Sequence, residues 1–348
     1  MKTIRLILAA IILCSLSAAC TRQEQRPRGP KFAGRVLLLT GQPLGGPALA
    51  ELTAQGDGYN LATITAGVNE AVPSPDQAHL LFATKEEISV RDLANGTVKS
   101  LVKGESICLG WAPDGNHFSY QQRSGGSKKS FVSDLAGTSK MILDDTNGST
   151  DCPQWIAKDR LVLDRFVGRP TNKGTETLKP NTSTVVTVAG SVTLKDSPRK
   201  WSVVGVCAKS NNGFVRSAEG GLMTAKNIDH FESLDPAPIS CSECRFIGYA
   251  AQSCVPFFIE QPASTTSELF YLNPTNWQKQ RPASISWTFS PDARFLINSS
   301  ARLMVAGDAP DKLLLIDTET GDVTPFFRNE EAKKMGLISP APVVWIEK

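Results

Sequence analysis

The chain has 348 residues, with 37 Lys+Arg against 34 Asp+Glu for a formal charge of +3, and is 41% hydrophobic and 20% charged. This is the balance of a globular protein, and it excludes a strongly basic nucleic-acid binder. The length suggests two domains unless a repeat joins them into one, and the eight cysteines take their meaning from the compartment.

Residues 1–19 read as a signal peptide: a basic start with Lys2 and Arg5, an apolar run from Leu6 to Leu13, and small residues up to Ala19. The run is too short for a permanent span, which needs about 20 residues. The end of this segment resembles a bacterial lipobox. The resemblance implies cleavage before Cys20 and acylation of Cys20, although Ser17 stands where the pattern has a large aliphatic residue and Leu16 lies one position further back. The alternative is plain secretion with cleavage after Ala19. Thr21 in place of an acidic residue implies, in the pattern of enteric-type bacteria, the outer membrane. Residues 20–33 carry Arg22, Arg26, Arg28 and Lys31 with Pro27 and Pro30, and read as a lipid-anchored flexible tether.

From residue 34 a repeat of a little over forty residues organises the chain. Trp111, Trp155, Trp201, Trp287 and Trp345 are 44, 46, 86 and 58 residues apart, and Cys244 lies midway across the gap of 86. Such a period predicts stacked units, most simply the four-stranded blades of an all-β propeller. Two signatures recur. Val72-Pro73-Ser74-Pro75-Asp76, Trp111-Ala112-Pro113-Asp114-Gly115 and Phe289-Ser290-Pro291-Asp292 predict a strand, a turn and a second strand. Val90-Arg91-Asp92-Leu93-Ala94-Asn95-Gly96, Val132-Ser133-Asp134-Leu135-Ala136-Gly137 and Leu315-Ile316-Asp317-Thr318-Glu319-Thr320-Gly321 predict an apolar strand turning through glycine.

This pair of signatures resembles the WD40-like repeats of the TolB-type β-propellers, over roughly residues 34–348. The resemblance implies a fold rather than an activity. Slots at 73, 111, 155, 201, 244, 287 and 345 predict seven blades, where TolB has six; the alternative is a six-bladed ring in which the Trp201 and Cys244 segments share a blade. Only one strand follows Val343, and three strands in Arg35–Thr65 lack an opening strand, so pairing the two ends closes a single-domain ring.

With Cys14 removed and Cys20 lipidated, Cys108, Cys152, Cys207, Cys241, Cys244 and Cys254 are disulfide candidates in an oxidising compartment. Cys108 and Cys152 each stand three residues before a slot tryptophan, so they hold equivalent places on neighbouring blades and are a candidate pair, provided one blade spacing brings their Cα atoms within about 7 Å. Cys241-Ser242-Glu243-Cys244 has redox or half-zinc spacing, but without a βαβ context, a second such pair or a histidine pair it reads as structural. His79, His117 and His230 form no metal-site grouping, and Asp145 to Asp151 lacks the closing glutamate of a calcium loop. No hydrolase elbow, phosphate loop, dinucleotide fingerprint or zinc-protease motif occurs, so no catalytic residue, metal or cofactor is expected.

The expectation is a membrane-anchored extracytoplasmic propeller that binds an envelope protein or acts as a scaffold, touching the membrane through its lipid alone and binding no nucleic acid. One alternative is an envelope polysaccharide lyase or glycosidase working in the channel, and another is a structural subunit of an envelope assembly. Leader and tether carry the basic excess, leaving 31 basic and 33 acidic residues in 34–348, a near-neutral body suited to protein contacts.

Overall fold

The computed structural model describes residues 32–347, apart from 43–45, 56–57, 147–149, 167–179, 189–191, 196–200, 208–211, 218–220, 227–236, 240–243, 251–252 and 261–265. The leader, Cys20 and most of the tether lie outside the described residues, as do His230 and Cys241. The body, Ala33–Lys348, is one compact unit.

Its first strands are β1 (Arg35–Gln42), β2 (Gly46–Gln55) and β3 (Gly58–Ala66). The second blade is β4 (Glu70–Pro73), β5 (His79–Ala83), β6 (Glu87–Asp92) and β7 (Val98–Lys103). The third is β8 (Ser106–Trp111), β9 (His117–Ser124), β10 (Ser127–Asp134) and β11 (Ser139–Asp145), and the fourth is β12 (Gln154–Ala157), β13 (Arg160–Phe166), β14 (Pro180–Thr187) and β15 (Val192–Lys195). The fifth is β16 (Trp201–Cys207), β17 (Asn212–Ser217), β18 (Leu222–Ala225) and β19 (Ala237–Pro238). The sixth is β20 (Cys244–Tyr249), β21 (Pro256–Glu260), β22 (Ser267–Leu272) and β23 (Lys279–Ile285). The seventh is β24 (Arg294–Ile297), β25 (Leu303–Asp308), β26 (Lys312–Asp317) and β27 (Val323–Pro325), after which a short helix, α1 (Asn329–Lys334), leads to β28 (Ile338–Ile346).

Each set forms one four-stranded antiparallel sheet, and β28 joins β1, β2 and β3 to make the first. Val36 pairs with Trp345 and Leu37 with Val344, so the ring of seven blades closes by pairing the two ends of the body. Trp201 and Cys244 head separate sheets, which corrects the six-bladed alternative.

The central strands are apolar on both faces because each blade packs against two neighbours. In β5, Leu80 and Phe82 face the first blade while Leu81 and Ala83 join Trp111, Phe118 and Tyr120 of the third. In β21, Phe257 and Ile259 meet the seventh blade and Phe258 meets Phe214 of the fifth. Runs such as His79-Leu80-Leu81-Phe82-Ala83 and Lys312-Leu313-Leu314-Leu315-Ile316 therefore show no polar alternation.

The closing signature does the same work three times. Asp92 Oδ1 accepts from the amides of Ala94 and Asn95, Asp134 Oδ1 from Ala136 and Thr138, and Asp317 Oδ1 from Glu319 and Thr320. Gly96, Gly137 and Gly321 follow at φ of 79°, 93° and 78°, where a side chain would be strained. The opening signature holds in two blades: Asp76 Oδ1 accepts from Ala78 N between β4 and β5, and Asp114 Oδ1 from Asn116 N between β8 and β9.

The third copy corrects the expectation. Ser290-Pro291-Asp292 precedes β24 instead of following it, and the turn between the first two strands is Asn298 to Arg302, with Asn298 Oδ1 accepting from Leu303 N at 3.0 Å. Trp287 is displaced with it. It lies between β23 and β24, not on an inner strand, and its indole donates to Asp308 Oδ2 at 3.2 Å.

Candidate ligand site in the central channel

The inner strands β28, β4, β8, β12, β16, β20 and β24 surround the channel. Tryptophans tie several of them together by donating indole N–H to backbone carbonyls. Trp111 reaches Val72 O at 2.9 Å and Trp155 reaches Gly110 O at 3.0 Å, each on the neighbouring inner strand, while Trp345 reaches Ala33 O, just before β1 of its own blade, at 3.0 Å. Such a bond costs nothing in strand pairing, because a carbonyl has a second lone pair, and it fixes the ring plane of a side chain already buried for its apolar area. Trp201 begins β16; its side chain lies outside the described residues.

Against β4, β8, β12, β16 and β20 lies a cavity of about 440 Å³, walled by Trp111, Trp155, Val206 and Tyr249 and paved by Pro73 and Pro113. Gln154 lines it as well, and its Oε1 is buried without a hydrogen-bond partner. Burial raises the pKa of Tyr249, so this phenol stays neutral at any physiological pH. A second cavity, of about 390 Å³, completes the circuit against β20, β24, β28 and β4 and shares Pro73 with the first. Arg245 and Arg294 line it, with Phe246, Ile247 and Phe295 beside them.

Bridges hold the seams between blades. Cys108 is joined to Cys152 with Cα atoms 5.2 Å apart, linking the third and fourth blades, and Cys207 to Cys254 with Cα atoms 5.8 Å apart, linking the fifth and sixth. Cys244 is also disulfide-bonded. Cys108 sits at a bulge of β8 with φ of 61°, and Leu109 N, released from the ladder there, donates to Glu70 Oε1 at 3.1 Å. Burial raises the pKa of Glu70, and hydrogen bonds from the amides of Leu109 and Cys108 oppose that rise. Glu70 thereby serves as a buttress for the bridged bulge.

Of the described histidines, His117 Nδ1 is 3.7 Å from Asp114 Oδ2 beside a turn, and His79 begins β5. Among the described residues no group of three or more His, Cys, Asp or Glu is placed to hold a metal. In the oxygen-rich loop, Asp145 Oδ2 accepts from Thr150 N at 2.7 Å and so closes the loop on itself; residues 147–149 lie outside the described set.

Arg245, Arg294, Gln154 and Glu70 are not singled out by the sequence, because nothing in one sequence says which polar side chains of the inner strands face the channel or a neighbouring blade. The displaced turn did leave a trace: Ser74 to Asp92 spans 18 residues and Ala112 to Asp134 spans 22, but Ser290 to Asp317 spans 27, whereas Asn298 to Asp317 spans 19.

No protein-family model and no curated protein matches this chain. Solved structures do. It is similar to the periplasmic gluconolactonase of Pseudomonas aeruginosa, at 10% identity over 90% of this chain and 100% of that one, with a TM-score of 0.52. A functionally unknown protein from Desulfotomaculum acetoxidans is similar at 9% identity over 91% of this chain and 100% of that one, with a TM-score of 0.55. TolB from Acinetobacter baumannii aligns at 14% identity over 90% of this chain and 67% of that one, with a TM-score of 0.44. The likeness to the first two, at such identities, speaks for the propeller fold alone.

Proposed function

We propose that this chain is an exported binding module of the bacterial cell envelope, tethered to a membrane through acylated Cys20, whose channel mouth receives a partner protein. The observation that carries the reading is the channel wall itself, in which Trp111, Trp155 and Tyr249 stand among prolines in a ring with bridged seams between the third and fourth and between the fifth and sixth blades. Rigid aromatic surface binds with little loss of side-chain entropy, and bridges between blades keep it in shape. Disulfides form in oxidising compartments, which agrees with the signal-like leader.

The test is site-specific photo-cross-linking from Gln154 in the membrane-anchored protein. One stoichiometric adduct, lost when Val206→Arg fills the cavity with charge, is the expected result. Turnover of a lactone or an envelope polysaccharide by the purified ring, with no adduct, would replace the binding reading with an enzymatic one. Cys20→Ser is expected to release the protein from the membrane fraction, and retention there would remove the anchor.

A further inference from the structure

The second channel cavity differs from the first in being lined by two arginines, Arg245 and Arg294. Arg245 lies with its guanidinium 5.1 Å from the centre of the Phe295 ring, and its Nη1 donates to the carbonyl oxygens of Ser290 at 3.0 Å and Pro291 at 2.5 Å. Its Nη2 is buried and finds no acceptor. Among the described residues neither Arg245 nor the exposed Arg294 forms an ion pair. Burial lowers the pKa of Arg245 and the like charge of Arg294 lowers it further, against the raising influence of Asp308 and Asp292. Asp308 is already engaged, taking the Trp287 indole on one oxygen and the Ser290 amide on the other.

A buried guanidinium nitrogen without an acceptor is costly, and two arginines beside one cavity favour an anion with the planar geometry they bind best. Asp292 and Asp308 limit the positive excess, so a single negative charge suits the site better than the two of a phosphate. The remaining wall is apolar, with Leu39, Phe246 and Ile247. We propose that this cavity binds an organic monocarboxylate, its carboxylate received by Arg245 and Arg294 and its apolar body lying on Phe246, Ile247 and Leu39. The site stands whether or not a protein docks on the ring.

Calorimetric titration of the purified body with hydrocinnamate, its primary amide, acetate and inorganic phosphate tests this. Hydrocinnamate is expected to bind at least tenfold more tightly than each of the other three. Arg294→Gln is expected to weaken it at least tenfold while leaving the unliganded melting temperature unchanged, because Arg294 is exposed; Arg294→Lys should recover part of the loss. Equal binding of acid and amide, tighter binding of phosphate, or an unaffected Arg294→Gln would each overturn the proposal. Acetyl-Gly-Phe, with free or amidated terminus, separates the two sources of such a carboxylate. A free terminus that outbinds hydrocinnamate points to a peptide end, and the reverse order points to a small acid, both through the same arginines.

Discussion

Replacing Cys108 and Cys152 together by alanine removes a covalent link between two blades and nothing else of comparable size. The two cysteines are 44 residues apart in sequence. Closing a loop of about 45 residues removes about 13 cal/mol/K from the unfolded chain, or about 4 kcal/mol at 25 °C. An unfolding entropy of about 2.1 cal/mol/K per residue over about 300 residues is about 0.6 kcal/mol/K, so the melting temperature should fall by about 6 °C. Differential scanning calorimetry of wild type and double variant, each with and without a reductant, reads this directly. The gap between them should be present under oxidising conditions and vanish when both are reduced. A gap that persists in reductant would locate the loss in packing around Leu109 and Pro153, and would refute the covalent account. A fall below about 1 °C would refute it as well.

Three further outcomes follow from the same contacts. Gly307→Ala places a Cβ 1.9 Å from Pro340 O and 2.9 Å from Pro342 Cδ on the closing strand. It should cost about 2 kcal/mol or more and open β28 to proteolysis, whereas Gly58→Ala, with its nearest atom at 3.8 Å, should be near neutral; equal stability of the two by urea unfolding would contradict the close approach of blades one and seven. Glu70 has a folded pKa raised above its unfolded 4.5, so its favourable contribution is complete below pH 4.5 and is lost as pH rises through the folded value. Glu70→Gln keeps the neutral shape and should flatten that part of the stability profile while matching or exceeding wild type at pH 7; a variant clearly weaker at pH 7 would show that the charge itself is needed. Trp111→Phe leaves Val72 O without the indole donor and should cost about 1–2 kcal/mol by urea unfolding, and a neutral result would argue that the ring's apolar area alone holds that seam.

Blade periodicity was legible because turn chemistry is local. Asp92, Asp134 and Asp317 each hold the same two or three amides, and any sequence with an aspartate there and a glycine a few residues on announces the same turn. The seventh blade misled because Ser290-Pro291-Asp292 has the right residues in a neighbouring place: Ala293 N bonds Ser290 O as in the true copies, yet the strand it introduces is the inner one. In the real turn Asn298 makes the contacts that Ser74 makes in the second blade, and Ser300 stands where the aspartate would, so the turn carries no Ser-Pro-Asp. The channel was the least legible part. Arg245 lies in β20 and Arg294 begins β24, and that they line one cavity follows from how the sixth and seventh blades pack, which is not written in the local pattern of either strand.

The pairing of Arg35 with Ile346 joins residues 311 apart, so the first blade cannot exist until the last strand has left the ribosome. Contacts of such separation are slow to form, and until then β1 offers an unpaired edge to any passing chain. The final stretch of the body acts as a latch for the first blade: β1 to β3 wait on it, and a lesion there reaches the beginning of the chain before it reaches the middle.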